Sequence, residues 1–321
     1  MMNQRGITFI FIIVTTLFLL TCGAPQKEYT YSNFLFGSQC TITFYYIGDE
    51  RAQEIIDVVD LELVRLDSLL NYFSEYSLIT HLNRLSRVKA PSDIIFLVSF
   101  CDSISRLTNG RFDITIAPLL ELWGFYEGEK RLPDTEEIAQ AMKAVDYRRV
   151  QIKGDSILLQ PGMKIDLGGI AQGYAADHAA LILRQRHVKS AIIDIGGEVL
   201  TIGQSMQGRS WRVGIRNPRG AGIIETVELS DSAVSTSGDY EKFFILREKR
   251  YPHIIDPTTG LPAQEFASVT VFADNATLAD ALSTAVAIMG PRDGIEFLDS
   301  LELQGIIYYE ENGTLKRVAN R

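Results

Sequence analysis

The sequence predicts an α+β fold, mostly antiparallel sheets flanked by helices. From about residue 149 onward, short runs rich in β-branched and aromatic residues alternate with glycine turns. Several other segments carry apolar residues at helical spacing. The strands come in runs with helices inserted, without the strict alternation that builds a parallel sheet. The change of texture sets a candidate subdomain boundary near residue 148.

Residues 1–21 read as a leader that precedes the fold. Arg5 supplies the positive start, and Phe9 to Leu20 is apolar except for Thr15 and Thr16. A run this short, followed by a processing site, is a secretory signal, not a membrane span. Its ending, Leu19-Leu20-Thr21-Cys22, resembles a lipoprotein processing site, which implies cleavage before Cys22 and a lipid on that sulfur. Residues 22–34 then read as a tether, and 35–321 as the folded region.

Within that region, Cys40 to Tyr46 is a strand and Ala52 to Leu70 an amphipathic helix. Ser92 to Thr108 is a second helix, capped at its start and closed by Asn109-Gly110. Asp134-Thr135-Glu136-Glu137 opens a third, with acids in the first turn where the helix dipole favours them. Strands follow at 157–159, 191–193, 211–215, 243–246 and 268–272, with helices at 171–186 and 277–289 between them. Gly305 to Tyr309, an Asn312-Gly313 turn and a return strand close the chain.

Net charge is −9. That sign, with no run of basic residues, excludes nucleic acid as a partner, because such binding rests on cations meeting phosphates. A phosphate-bearing ligand would need a local positive centre, which a divalent metal supplies. Cys40 and Cys101 are either a disulfide or two buried thiols.

Three motifs carry candidate chemistry. Asp280 and Thr284 stand at i and i+4 of a helix, so a carboxylate and a hydroxyl share one face. Both are oxygen ligands of the kind Mg²⁺ requires. The bland reading is a solvated Asp and a Thr bonded to its own backbone. Ile165 to Asp177 runs from an apolar strand through Gly168-Gly169 into a helix, where backbone approaches a ligand closely. A purely structural turn has the same pattern. His253 sits in a Pro-bounded turn beside Asp256 and is either a proton carrier or a loop fastener.

The order of the motifs is more specific than any one of them. Gly110-Arg111-Phe112-Asp113 with Trp123-Gly124-Phe125, then Asp166 to Gly173, Ser235 to Tyr240, His253 to Pro257 and Ala279 to Thr284 together resemble the ApbE family of FAD:protein FMN transferases, over roughly residues 35–310. The resemblance implies an ApbE-like fold and an Mg²⁺-dependent reaction. A Thr or Ser hydroxyl of a partner flavoprotein attacks the FMN-side phosphorus of FAD, and AMP leaves. It implies a metal shell of Asp280, Thr284, a backbone oxygen near Gly169, and Ser283. The flavin nucleotide would meet Phe36, Phe73, Arg111, Phe112, Asp113, Asp166, Gln172 and Ile255, with His253 as the base. The chain departs from the family pattern at Phe36 and Ser38, which replace Met and Thr, and at Gln172, neutral where Lys or Glu is common. The lipoprotein signal fits many members and implies a lipid-anchored protein of the bacterial cell envelope, with its catalytic region outside the cytoplasmic membrane. Two alternatives share much of the site: an FAD pyrophosphatase that uses water as acceptor, and a non-catalytic flavin-binding lipoprotein.

Overall fold

The computed structural model describes residues 25–126 and 128–320. The leader and Cys22 lie outside the described residues. In chain order the elements are β1 (Lys27–Leu35), β2 (Ser38–Tyr46), α1 (Asp49–Leu70), α2 (Leu78–Leu85), β3 (Arg87–Lys89), α3 (Ser92–Leu107), α4 (Ala117–Leu122), α5 (Thr135–Met142), β4 (Gln151–Lys153), β5 (Ser156–Leu158), α6 (Ala171–Gln185), β6 (Ala191–Ile195), β7 (Glu198–Ile202), β8 (Trp211–Arg216), β9 (Ile223–Leu229), β10 (Ala233–Gly238), β11 (Phe243–Leu246), β12 (Lys249–Pro252), β13 (Ser268–Ala273), α7 (Ala276–Ser300), β14 (Gln304–Glu311) and β15 (Thr314–Ala319).

The centre is an eight-stranded sheet in the order β1-β2-β6-β7-β10-β13-β14-β15. Every neighbouring pair in it is antiparallel. Side chains alternate across such a sheet, and β10 shows both faces. Ser235 and Ser237 point to α7, where both meet the Ser283 hydroxyl (3.2 and 2.8 Å). Val234 points the other way and packs with Val199 and Leu229 under the β8–β9 hairpin. Helices α6 and α7 therefore cover one face, with α1 beside α6.

The antiparallel α+β expectation holds, but several boundaries move. The tether read over 22–34 is strand from Lys27 onward. Tyr29 stacks on Phe44 (5.7 Å), and the buried Tyr31 donates its hydroxyl to Asp60 (2.8 Å). These partners lie across a turn and on a distant helix, so the polar residues between the aromatics concealed the strand. Residue 148 does not divide the sheets. The central sheet joins β2 to β6, with Cys40 opposite Ile195, and the small sheet β3-β5-β4 also crosses that position. Ser92 is the first helical residue of α3, not its cap. The helix read over 277–289 does end there, at the non-helical Gly290, and a second helical segment from Pro291 carries α7 on to Ser300. Helix α2 had no apolar period long enough to read; Ser77 caps it by accepting the Thr80 N–H (3.1 Å). Cys40 and Cys101 are both buried free thiols, and burial pushes Cys40 up to about 11.

One close approach places the site. Helices α6 and α7 meet at Gly173, where a Cβ would lie 2.3 Å from the Ala276 carbonyl oxygen and 2.8 Å from Asp280 Cβ. Only glycine allows that contact.

Candidate active site

A cavity of about 810 Å³ opens where the helix layer meets the sheet end. Its floor is the loop from Ile165 to Ile170. Asn83 pins that loop by donating to the Ile165 carbonyl (2.8 Å) and accepting the Ile165 N–H (2.7 Å). Asp166 accepts the Gly168 N–H (2.7 Å) and the Tyr126 hydroxyl, which fixes the glycine turn. The loop then enters α6, whose Gly173 N–H donates to Asp280 Oδ2 (2.9 Å). Asp177 caps α7 by accepting the N–H groups of Ala276 and Thr277 (both 2.9 Å). The two helices are thus held side by side, and Asp280 and Thr284 face the glycine loop. The Thr284 hydroxyl lies 3.1 Å from where a Cβ on Gly169 would sit.

The polar end of the cavity is rich in buried negative charge. Asp280 is 5% exposed. Burial, then the charges of Glu241 and Asp177, push its carboxyl up to about 7 against the Gly173 N–H. Glu198, just after the Gly196-Gly197 turn, is also 5% exposed. One of its oxygens accepts from Ser235 at 3.3 Å. The other, Oε2, is buried with no partner. Burial and the neighbouring Asp280 and Glu241 hold Glu198 well above the usual carboxylate range. Glu241 is exposed at the open cavity, yet desolvation of its carboxyl there still pushes it up to about 7. Buried carboxylates that repel one another are costly unless a cation joins them. The free oxygen of Asp280, the Thr284 hydroxyl, the adjacent Gly169 backbone and the orphaned Glu198 oxygen fit a hard cation such as Mg²⁺.

This cluster sets a pH dependence. Carboxyl groups titrate near 4 in an unfolded chain, and Asp280 and Glu241 are raised to about 7 when folded. The folded state then binds more protons between these values, so the contribution is present in acid and lost as pH rises through 7. In chelator, the metal-free protein should unfold at lower temperature at pH 8 than at pH 5, and Asp280→Asn should flatten that slope. A thermal melt series tests it; equal slopes in the two proteins would contradict the assignment.

Another part of the lining is aromatic. Tyr72 stacks on Tyr126 (4.0 Å), Phe73 sets its edge against both rings, and the Lys242 ammonium lies 5.4 Å from the Phe73 ring centre. His253 stands beside them. Its Nδ1 lies 3.1 Å from the Lys242 carbonyl oxygen. A carbonyl only accepts, so Nδ1 carries the proton and Nε2 keeps its lone pair. Burial, then the Lys242 charge, depress the imidazole to about 4. At neutral pH it is an uncharged acceptor.

Twelve candidate residues border this one cavity: Phe36, Phe73, Arg111, Phe112, Asp113, Asp166, Gly169, Gln172, His253, Ile255, Asp280 and Thr284. Ser283 does not. At i+3 from Asp280 it turns toward the sheet, fully buried, and its hydroxyl bonds Ser235, Ser237 and the Asp280 carbonyl. Asp113 borders the cavity with both oxygens engaged elsewhere. It accepts from Thr115 N (2.7 Å) and Oγ1 (2.6 Å) and from Tyr147 N (3.0 Å). It is a turn cap, not a free ligand group. Arg111 ties its loop to the His253 loop through Asp256 (2.7 Å) and Thr258 (3.2 Å). The Gln172 amide donates to Ser38 (2.9 Å). Glu198, Glu241 and Lys242 were missed from sequence. Each lies in or just after a turn, and only the fold brings them together.

The sequence pattern that defines the ApbE family matches residues 36–307. The chain belongs to the ApbE family. The FAD:protein FMN transferase of Treponema pallidum is 31% identical over 84% of this chain and 82% of its own. The Escherichia coli K12 FAD:protein FMN transferase is 29% identical over 91% and 90%. The crystal structure of the ApbE protein of Thermotoga maritima superposes with a TM-score of 0.83 at 33% identity, covering 91% of this chain and 97% of that one. The apo flavinyl transferase ApbE of Pseudomonas stutzeri gives 0.85 at 30%, covering 92% and 96%.

Proposed function

We propose that this chain cleaves FAD and transfers FMN to a Thr or Ser hydroxyl of a partner flavoprotein, with Mg²⁺ held by Asp280, Thr284 and a backbone oxygen near Gly169. The observation that carries the proposal is the meeting of two chemistries in one cavity. An oxygen-lined acidic pocket and an imidazole with a free Nε2 lone pair line the same cavity. The names of the relatives support the same reading.

In this mechanism Phe36, Phe73, Arg111, Phe112, Asp166, Gln172 and Ile255 bound the flavin nucleotide. Arg111 and Asp166 do so mainly by holding their loops in place. A bound Mg²⁺ supplies neutralisation of the diphosphate charge, which the acidic pocket lacks on its own. Nε2 of His253 accepts the proton of the incoming hydroxyl. The new oxygen–phosphorus bond forms to the FMN phosphate, the bond to the adenylate oxygen breaks, and AMP departs with the electron pair. Phosphoryl transfer asks chiefly for positioning and electrostatic stabilisation, which such a cavity provides.

The test is incubation with FAD, Mg²⁺ and a flavoprotein domain carrying an acceptor Thr, followed by mass spectrometry. An FMN-sized mass gain with AMP release supports the transferase. Free FMN and AMP without a gain would replace it by the pyrophosphatase, and intact bound FAD by a flavin store. We further propose that Cys22 carries lipid and anchors the protein at the bacterial envelope, outside the cytoplasmic membrane. Labelled fatty acid should enter the wild type and not Cys22→Ser; equal labelling would refute the anchor. Among the described residues no helix is long and apolar enough to cross a membrane.

A further inference from the structure

We infer that the hairpin β11–β12 is the surface on which the acceptor polypeptide docks, its partner segment being an extended stretch with acidic residues around the acceptor hydroxyl. This rests on the transferase reading above. The hairpin grows directly out of the site. Phe243 pairs with Pro252, and the next residue, His253, continues the ladder by donating its N–H to the Lys242 carbonyl (2.9 Å). A polypeptide that brings a hydroxyl to His253 Nε2 therefore passes this ribbon.

One face of the ribbon is engaged with the body. Phe244 stacks on Tyr251 (5.1 Å), and both pack with Trp123. The rest is open. Ile245 is 61% exposed and Leu246 38%. Strand β11 has no neighbour but β12 among the described strands, so its outer edge offers unpaired main-chain groups to an extended segment. The charge is also out of keeping with the chain. In a protein of net charge −9, the exposed Arg247 and Lys249 have no acidic partner among the described residues, Lys249 lying 5.5 Å over the Tyr251 ring. Lys242 stands at the base, and only Glu248 opposes them within the turn. Two exposed aliphatic side chains flanked by cations that lack an acidic partner suit an acidic polypeptide, steered by charge and held by apolar contact.

The test uses the purified protein with FAD and Mg²⁺, a short synthetic peptide carrying one Thr flanked by aspartates, and the same peptide with asparagines in their place. Two variants, Ile245→Ser/Leu246→Ser and Arg247→Glu/Lys249→Glu, alter separate residues, so a folding defect in one leaves the other readable. FMN release to water and FAD affinity, unchanged from wild type, confirm a sound site. We expect wild type to prefer the aspartate peptide, and KM for it to rise about tenfold or more in each variant, the size typical of interface anchors and rim charges. Charge reversal should also erase the preference over the asparagine peptide. Equal modification of both peptides by wild type and variants overturns the docking surface. FMN release with neither peptide modified, while the flavoprotein domain is, overturns the docking surface; FMN release with the domain also unmodified overturns the transferase reading itself.

Discussion

Asp280→Asn is expected to lower turnover by on the order of a thousandfold at saturating FAD, since loss of a metal carboxylate removes several kcal/mol of transition-state stabilisation. The fold should survive. Asparagine keeps an oxygen for the Gly173 N–H, which now reaches Asp280 at 2.9 Å, and the substitution removes a buried charge that Glu198 and Glu241 oppose. The two effects should therefore part company: activity falls while the metal-free melting temperature holds or rises. Activity titrated with Mg²⁺ completes the measurement. A variant that regains full turnover at high Mg²⁺ would show that Asp280 tunes affinity only, and one indifferent to Mg²⁺ with normal rates would remove the metal pocket.

His253→Gln should slow transfer by about a hundredfold to ten-thousandfold, the usual range for a lost general base, with FAD affinity unchanged. Glutamine can still donate to the Lys242 carbonyl that now holds Nδ1 at 3.1 Å, so the loop should keep its shape. The pH profile gives the sharper test. With the imidazole depressed to about 4, the neutral base is present throughout the range above that value. The limb assigned to His253 should fall only as pH drops through about 4, and it should vanish in the variant. A limb near 6.5 would mean that the ring is solvated during turnover, and weakened FAD binding at normal saturated rate would make His253 a binding residue.

Local spacing carried part of this site into view. A helix puts Asp280 and Thr284 on one face at i and i+4, but that spacing fits a solvated pair equally well, and His253 in its Pro-bounded turn could as well be a loop fastener. The order of the motifs singled them out, and the fold brings all three to one cavity. Ser283 entered only through the family pattern, and helix geometry turns it away. One position short of a full turn, it faces β10 instead of the cavity. Asp113 looked like a ligand group because it stands beside Phe112, yet the nearest donors to its oxygens are Thr115 and, far along the chain, Tyr147. Glu198 could not be read at all. Its importance comes from Asp280, some eighty residues away, and only the packing of α7 on the sheet makes the two neighbours. Strand β1 was hidden for a similar reason: its aromatic residues answer to partners on β2 and α1.

The start of that strand has a mechanical consequence. Lys27 opens β1 at the sheet edge, five positions after Cys22 in the chain. An extended chain spans at most about 3.5 Å per residue, so a lipid on Cys22 would hold the rigid body within roughly 18 Å of the bilayer surface. A leash that short allows little swing. The anchored protein would survey a thin layer along the membrane, and an acceptor would have to come into that layer, as a membrane-bound subunit or as a soluble protein that descends to it.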